Sequence, residues 1–480
     1  MVAFSLLALL PFYLLASAAA QGNSCMPCTT IQKTLQPLLS SEATIFCNTT
    51  SVPRWSEYDE PTPGTVVNVS TENDVAVAVQ YAVKHNISFL AQNGGNGWSI
   101  TLDRLTECGM LINLRNLNQI TFNSAGNEAT VQAGASISEV VDAAWANNAR
   151  IYTGTCNCVG FLGASLGGGL GRTAGLYGLG VDQFISLNVV NASGQQITVN
   201  PSQADLWWAL RGAGPNFGIV TSATVKAYPV AQADNTAWTG PLFYNASKIE
   251  AVVGAINNLT LGPEMQIDFY YTTSGAPDYT PTVIALPFYL GNATAGQEAF
   301  ASLYAIGPQL DGTTVLPYNE WNAAGDSFCV KGDRKAAYGA SANNLDPATW
   351  LAIWDEYTAF LQNPNTGNSA ILVECYPVAE SESIGATAPA SYPFRNVKFH
   401  AIAIPWYTDA SLDATANAFG AKVRDMIRAT DGLSQNSSYI NFAHGDDPLQ
   451  NVYGSSLPEL LALKKKYDPA NRFGNWFPLV

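Results

Sequence analysis

Apolar positions in the first half of the chain switch between strand-like alternation and helical spacing, with glycine runs at the joints. Val66–Val69 reads as a strand. Thr71 with Asp74 gives a helix N-terminal signature, and Val75, Ala78, Val79 and Ala82 then repeat at helical spacing up to His85. Ser88–Ala91 is the next strand and runs straight into Asn93-Gly94-Gly95-Asn96-Gly97, so the order is strand, helix, strand, phosphate-like loop. Met110–Leu114, Gln119–Asn123 and Glu128–Gln132 have strand character, and Ser136 with Glu139 makes a capping box for a helix through Asn148. Phe184–Val190 and Gln196–Val199 flank the turn Asn191-Ala192-Ser193-Gly194 as a hairpin. Asp205–Arg211 is a short helix ending in a third glycine loop, Gly212–Gly218, ahead of the strand Ile219–Ala227.

From about Ala231 the pattern changes to longer alternating runs, Met265–Thr272, Thr282–Leu290, Ala370–Tyr376 and Val397–Ile404. Helical stretches, Thr349–Leu361 and Ser411–Arg428, separate them, which predicts an antiparallel sheet covered by helices. Leu457–Tyr467 is an amphipathic helix closed by Asp468-Pro469.

Composition narrows the class. With 480 residues, 47% of them hydrophobic and 12% charged, the chain can bury a large core and form two or more domains. A formal net charge of −15 argues against a nucleic-acid or anionic-membrane partner. Val2–Leu15 is an apolar run followed by Ala16-Ser17-Ala18-Ala19-Ala20, the pattern of a secretory leader cleaved after Ala20. Eight Asn-X-Ser/Thr acceptors, at Asn48, Asn68, Asn86, Asn191, Asn245, Asn258, Asn292 and Asn436, fit an exported glycoprotein. In that compartment Cys25, Cys28, Cys47 and Cys108 are disulfide candidates, with connectivity open.

Candidate chemistry concentrates in Gly154–Gly171. Seven glycines in these eighteen positions, Gly160, Gly163, Gly167, Gly168, Gly169 and Gly171 among them, allow backbone N–H groups to converge on phosphate oxygens, beside a possible flavin-linking thiol at Cys156. Gly169-Leu170-Gly171-Arg172-Thr173-Ala174 also fits a Rossmann fingerprint. It follows a glycine-rich turn rather than a strand, however, and Asp182 comes too early to be the expected acid.

The eighteen-residue stretch, together with Asp205-Leu206-Trp207-Trp208-Ala209-Leu210-Arg211-Gly212, Tyr439-Ile440-Asn441 and Leu463–Phe473, resembles the berberine-bridge-enzyme-like branch of the vanillyl-alcohol-oxidase flavoproteins, in the manner of fungal secreted members. The resemblance covers roughly Pro61–Ala227 and Tyr439–Phe473. It implies FAD and an α+β fold, a two-lobed PCMH-type FAD-binding domain beside a substrate domain. The expected organisation is a signal peptide at 1–20, an N-terminal segment at 21–60, the FAD-binding domain at 61–230, the substrate domain at 231–435 and a C-terminal return to the FAD domain at 436–480.

By the same resemblance, a Cys at the position of Cys156 can bond to flavin C6 and a His in the first glycine loop to the 8α-methyl. Asn96 stands where that His would be, and a carboxamide has no nucleophilic nitrogen for the link. Single attachment through Cys156, or none, remains. Val159 occupies the family's oxygen-gate position, where Val resembles the oxidases. Gly218, Ile219 and Val220, with Tyr439 and Asn441, complete the expected cofactor contacts. Arg395 matches a family arginine, but Phe394 replaces the usual His.

For catalysis the chain offers Tyr439 beside the isoalloxazine, His444 just after it, and Glu374 inside the apolar strand Ile371–Tyr376. If Glu374 faces a dry pocket its pKa rises and suits a base; if its face is wet it is an ordinary exposed acid. Tyr270, Tyr376 and Tyr407 are further pocket candidates. The resulting expectation is a secreted, monomeric FAD-dependent oxidase acting on a small alcohol, sugar or secondary metabolite and on O2, with no metal. The alternatives are a flavoprotein for a redox-neutral or oxidative cyclisation, and a flavin-free binding glycoprotein.

Overall fold

The computed structural model describes residues 25–47 and 52–480, so the leader-like stretch 1–20 and Asn48 lie outside the described residues. Three main sheets organise the chain. In the first, Thr65–Asn68, Met110–Asn113 and Phe89–Gln92 run parallel, and Thr44–Phe46 adds an antiparallel edge. The helix Glu72–Lys84 connects the parallel strands. Its start is the reciprocal cap expected from sequence, with Asp74 N–H donating to Thr71 Oγ1 at 3.1 Å and Thr71 N–H to Asp74 Oδ2 at 2.9 Å.

The second sheet is antiparallel, in the order Ile120–Phe122, Glu128–Gln132, Ile219–Lys226, Phe184–Val190, Gln196–Val199. The helix Ile137–Ala146 begins at the Ser136–Glu139 capping box. Both sheets share one apolar core, which also takes in Ile440, Leu460 and Phe473 from the C-terminal segment. The helix read from Asp205 runs over Ala204–Ala213 and breaks at Arg211 and Gly212, where φ turns to +142° and Gly212 lies against Ser391 and Tyr392.

The third sheet has nine strands. Its path runs Leu310–Asp311, Leu242–Tyr244, Pro281–Tyr289, Met265–Thr273, Ala370–Cys375, Phe399–Ile404, Tyr338–Ala342, antiparallel throughout. One face carries Ile267, Phe269, Tyr271, Val373, Cys375, Ala401 and Ala403 into a core closed by Trp350, Ile353 and Tyr357 of helix Pro347–Phe360 and Phe419 and Val423 of helix Asp413–Ala429. Because side chains alternate along a strand, the residues between these point to the opposite face. That face meets the first two sheets' glycine loops.

Disulfides Cys25–Cys108 and Cys28–Cys47 pair the four N-terminal cysteines. A third, Cys158–Cys329, was not expected; it ties the glycine stretch to the segment before Tyr338.

Candidate active site

The strand Phe89–Gln92 delivers the loop Asn93–Gly97 against the turn Cys158–Gly160. A Cβ on Gly94 would come within 2.9 Å of Cys158 O and 3.1 Å of Gly160 N, so only glycine admits this approach. Asn93 fastens the loop from behind, Nδ2 donating to Ala135 O at 2.9 Å. Asn96, with its amide nitrogen turned toward the available acceptors, donates to Gly94 O and Cys158 O at 3.2 Å each. Among the described residues nothing accepts from the backbone N–H groups of Gly94, Gly95, Asn96, Gly97 or Trp98. Trp98 Nε1 and Gln92 Nε2 are likewise buried without a partner. Consecutive unclaimed donors are what a diphosphate requires. Buried Arg54 donates to Gly97 O at 2.6 Å and to the Gln92 side chain, placing a cation behind the loop. These residues fit the diphosphate of FAD, and Arg54 is one that sequence reading missed.

The second glycine run answers to protein instead, which corrects the expectation of an anion nest there. A Cβ on Gly167 would meet Asn441 Oδ1 at 2.5 Å, one on Gly168 would meet Tyr392 at 2.9 Å, and one on Gly169 would meet Gly180 Cα at 2.8 Å. On Gly171 it would overlap Thr153 O. The N–H groups of Gly169 and Leu170 donate to Tyr439 Oη at 3.2 and 3.4 Å, and Asn441 Nδ2 donates to the same oxygen at 2.7 Å. The nest holds a phenol oxygen. Gly160 is bare because Asn93 packs on it, Gly218 because Val189 does, and Ile219 and Val220 lie in the first core; only Gly163, among the cofactor glycines named from sequence, has nothing within 4 Å of its missing Cβ.

Cross-strand register builds the rest of the site. Asp268 pairs with Glu374, Glu374 with His400, and His400 with Ser341, so directly opposed side chains form one polar row across four strands. Their relative exposures are 1%, 6%, 1% and 1%, which settles the choice posed by the sequence: the face is dry. Thr155 Oγ1 donates to Glu374 Oε1 at 3.1 Å and Tyr376 Oη to Glu374 Oε2 at 2.9 Å. Burial, with the neighbouring Asp268 charge adding to it, pushes the Glu374 carboxyl up to about 8. Burial raises Asp268 less, because Arg172 Nη1 stands 3.6 Å from its Oδ2. Burial drives His400 down to about 3 and so keeps it neutral; its ring centre is 5.6 Å from that of Tyr439, and its Nδ1 has no partner among the described residues. Among the described residues Ser341 Oγ and Tyr392 Oη are buried and unpartnered too. Such groups are costly to leave empty, and they suit the hydroxyls of a bound molecule.

Asp268 and His400 were missed because their places come from pairing between strands far apart in sequence, and Arg172 because it reaches Asp268 from a turn nearly a hundred positions earlier in the chain. His444, by contrast, is not brought to this group. Its ring stacks on Tyr338 at 3.8 Å between centres, and its Nδ1 faces Ala337 O at 3.0 Å. Arg395 is also engaged elsewhere, in a bidentate pair with buried Asp182 at 2.8 and 2.7 Å. Tyr270 stacks toward Phe328 beside the row, whereas Tyr407 lies in the core on the sheet's other face.

Cys156 is a free thiol next to Thr155. Burial, aided by the Glu374 and Asp326 carboxylates, pushes it up to about 11. Val159 is half-buried and packs on the first core.

The unclaimed donors of the Asn93–Gly97 loop and the dry polar face fit an FAD-dependent oxidoreductase, and comparison with known proteins agrees. The family model described as FAD binding domain matches residues 63–200, and that described as berberine and berberine like matches 438–476. The chain is 34% identical over 433 residues to the FAD-linked oxidoreductase OXR1 of Pyricularia oryzae, covering 88% of this chain and 84% of that protein. It belongs to the berberine-bridge-enzyme-like family of FAD-linked oxidoreductases. Its fold is that of BBE-like 1 from Physcomitrella patens (TM-score 0.79, 22% identity, 93% of this chain and 99% of that one). The glucooligosaccharide oxidase of Acremonium strictum, described with a 6-S-cysteinyl, 8α-N1-histidyl FAD, shares it at TM-score 0.76 and 20% identity, over 89% of this chain and 94% of that one.

Proposed function

We propose that the protein is an exported, monomeric oxidase that removes two electrons from a small hydroxylated substrate, a sugar, alcohol or secondary metabolite, and passes them to O2 as H2O2. The observation that carries this reading is the buried row Asp268–Glu374–His400–Ser341 facing the Thr155–Cys156 loop. FAD, when bound, supplies the acceptor for a substrate hydride and the donor to O2. Glu374 takes the accompanying proton; Thr155 and Tyr376, each donating to one of its oxygens, fix its orientation. Tyr439, whose oxygen already accepts from three N–H groups, keeps its own proton free to donate to a substrate oxygen. His400, Ser341 and Tyr392 offer the unpartnered polar atoms that orient further hydroxyls.

In this reading residues 61–230 and 436–480 hold FAD and 231–435 hold the substrate. Cys156 is the single covalent attachment, since Asn96 cannot make the histidyl link. Export is supported by the leader-like N-terminus, three disulfides, and exposed acceptors at Asn86, Asn245, Asn258, Asn292 and Asn436. Among the described residues no helix is long and apolar enough to cross a membrane. O2 uptake with H2O2 release across a panel of oligosaccharides, alcohols and phenolic metabolites tests the activity. Turnover of a panel member without O2 uptake would instead favour a redox-neutral cyclisation.

A further inference from the structure

Three sulfurs meet at the edge of the site. Cys156 Sγ lies 3.6 Å from Cys158 Sγ and 3.8 Å from Cys329 Sγ, and the latter two are joined as a disulfide. Both distances are close to van der Waals contact, and no other side chain separates the thiol from the bond. A free thiol against a disulfide is the reactant pair for exchange.

We propose that Cys156, Cys158 and Cys329 form an exchange centre in which Cys156 can displace Cys158 from Cys329, giving the sulfur read above as the flavin's attachment point a second, competing covalent partner. The exchange rests on the three sulfurs alone; its effect on the flavin rests on the attachment reading. In the step, the Cys156 thiolate attacks Cys329 Sγ. The Cys156–Cys329 bond forms, the Cys158–Cys329 bond breaks, and its electron pair leaves on Cys158, which takes up the proton given up by Cys156. One thiol and one disulfide stand on each side, and no oxidant is consumed.

The alternative attack, on Cys158, would close a ring across a single intervening residue, and two Cys so placed rarely meet disulfide geometry. Exchange is therefore directed at Cys329. Nor is it poised to run unprompted. The thiol stands almost equidistant from both sulfurs, alongside the bond, while displacement needs an approach in line with it, so the Cys156 side chain must turn first. Among the described residues the groups facing it, Glu374 and Asp326 among the carboxylates and Tyr270 from the nine-stranded sheet, offer no positive charge, and burial keeps the thiol protonated at neutral pH. Once Cys156 is bonded to flavin it can no longer attack. Once it is bonded to Cys329 it can no longer bind flavin.

Cys158→Ser tests this directly. The variant is held with oxidised glutathione, which accepts the two electrons needed to close a new bond, then unfolded, alkylated with excess maleimide near neutral pH and mapped by mass spectrometry without reduction. Most chains that retain FAD should show a Cys156–Cys329 disulfide, and the share of flavin resisting acid release should fall at least about tenfold from wild type. Cys329 found free in folded chains, with Cys156 either free or on the flavin, would overturn the proposal. Cys158→Ala reads the same pairing if Ser disturbs the loop. Wild-type protein gives a further reading without substitution: in chains whose flavin is acid-releasable, maleimide at about pH 9 should mark Cys158 as well as Cys156. Marking of Cys156 alone would contradict exchange. Wild-type flavin wholly released by acid, with Cys156–Cys329 still forming in the variant, would refute the attachment reading and leave exchange intact.

Discussion

A carboxyl held near 8 by burial is a base only where it has lost its proton, so the role proposed for Glu374 ties activity to pH with a fixed sign. kcat/KM for the preferred substrate should rise with pH through a midpoint near 8 and level off above it, because the protonated carboxyl cannot act as a base. Asp268→Asn removes the neighbouring negative charge that helps raise Glu374 and should move that limb to lower pH. Glu374→Gln should abolish the limb and cost about 10²- to 10⁴-fold in kcat/KM while FAD stays bound. Steady-state pH profiles of the three proteins check this, and an unmoved limb in Asp268→Asn would detach the pair from catalysis. Val159 makes a separate prediction. In a packed interior one methylene is felt, so Val159→Leu should slow reoxidation by O2 more than reduction by substrate. Stopped-flow measurement of both half-reactions separates a gate from general damage, which would slow the two equally.

At the scale of elements, the glycine stretch shows how a correct motif can carry a wrong local cause. Seven glycines read as a phosphate nest, yet Gly167–Gly171 are bare because Asn441, Tyr392, Gly180 and Thr153 press on them. Gly168→Ala should therefore act through strain: φ is +127° there and the new Cβ would lie 2.9 Å from Tyr392. A cost of about 1–3 kcal/mol is expected, seen as a lower melting temperature, together with a shift in the flavin spectrum as Tyr439 moves. Periodicity alone located the helices Glu72–Lys84 and Leu457–Tyr467 and the four long strands of the nine-stranded sheet, Met265–Thr273, Pro281–Tyr289, Ala370–Cys375 and Phe399–Ile404, to within a residue or two, but not the short strands Thr236–Thr239, Leu242–Tyr244, Leu310–Asp311 and Thr314–Pro317. It did not find Tyr338–Ala342, whose Gly339, Ala340 and Ser341 carry almost no strand signal. That strand forms because Phe399–Ile404 offers it a partner and the Phe442 backbone packs on Gly339.

Across the whole molecule, the family and the Asn93–Gly97 cradle were legible because they depend on residues adjacent in sequence. The buried polar face was legible only in part. Glu374 stood out as an acid in an apolar strand, but Asp268 and His400 join it through register, and Cys329 reaches Cys158 across 171 residues, which local spacing does not report. His444 misled for the converse reason: closeness in sequence to Tyr439 does not keep it from turning toward Tyr338. The claim that unites these parts is that FAD sits between the glycine loops and the Glu374 face and gives its electrons to O2, and it can be tested without knowing the substrate. The purified protein is bleached anaerobically with dithionite and mixed with air-saturated buffer, following the flavin absorbance and H2O2 together. A yellow protein with one FAD per chain whose absorbance returns rapidly, releasing one H2O2 per flavin, is the expected result; a colourless protein, or one that stays bleached in air, would contradict it.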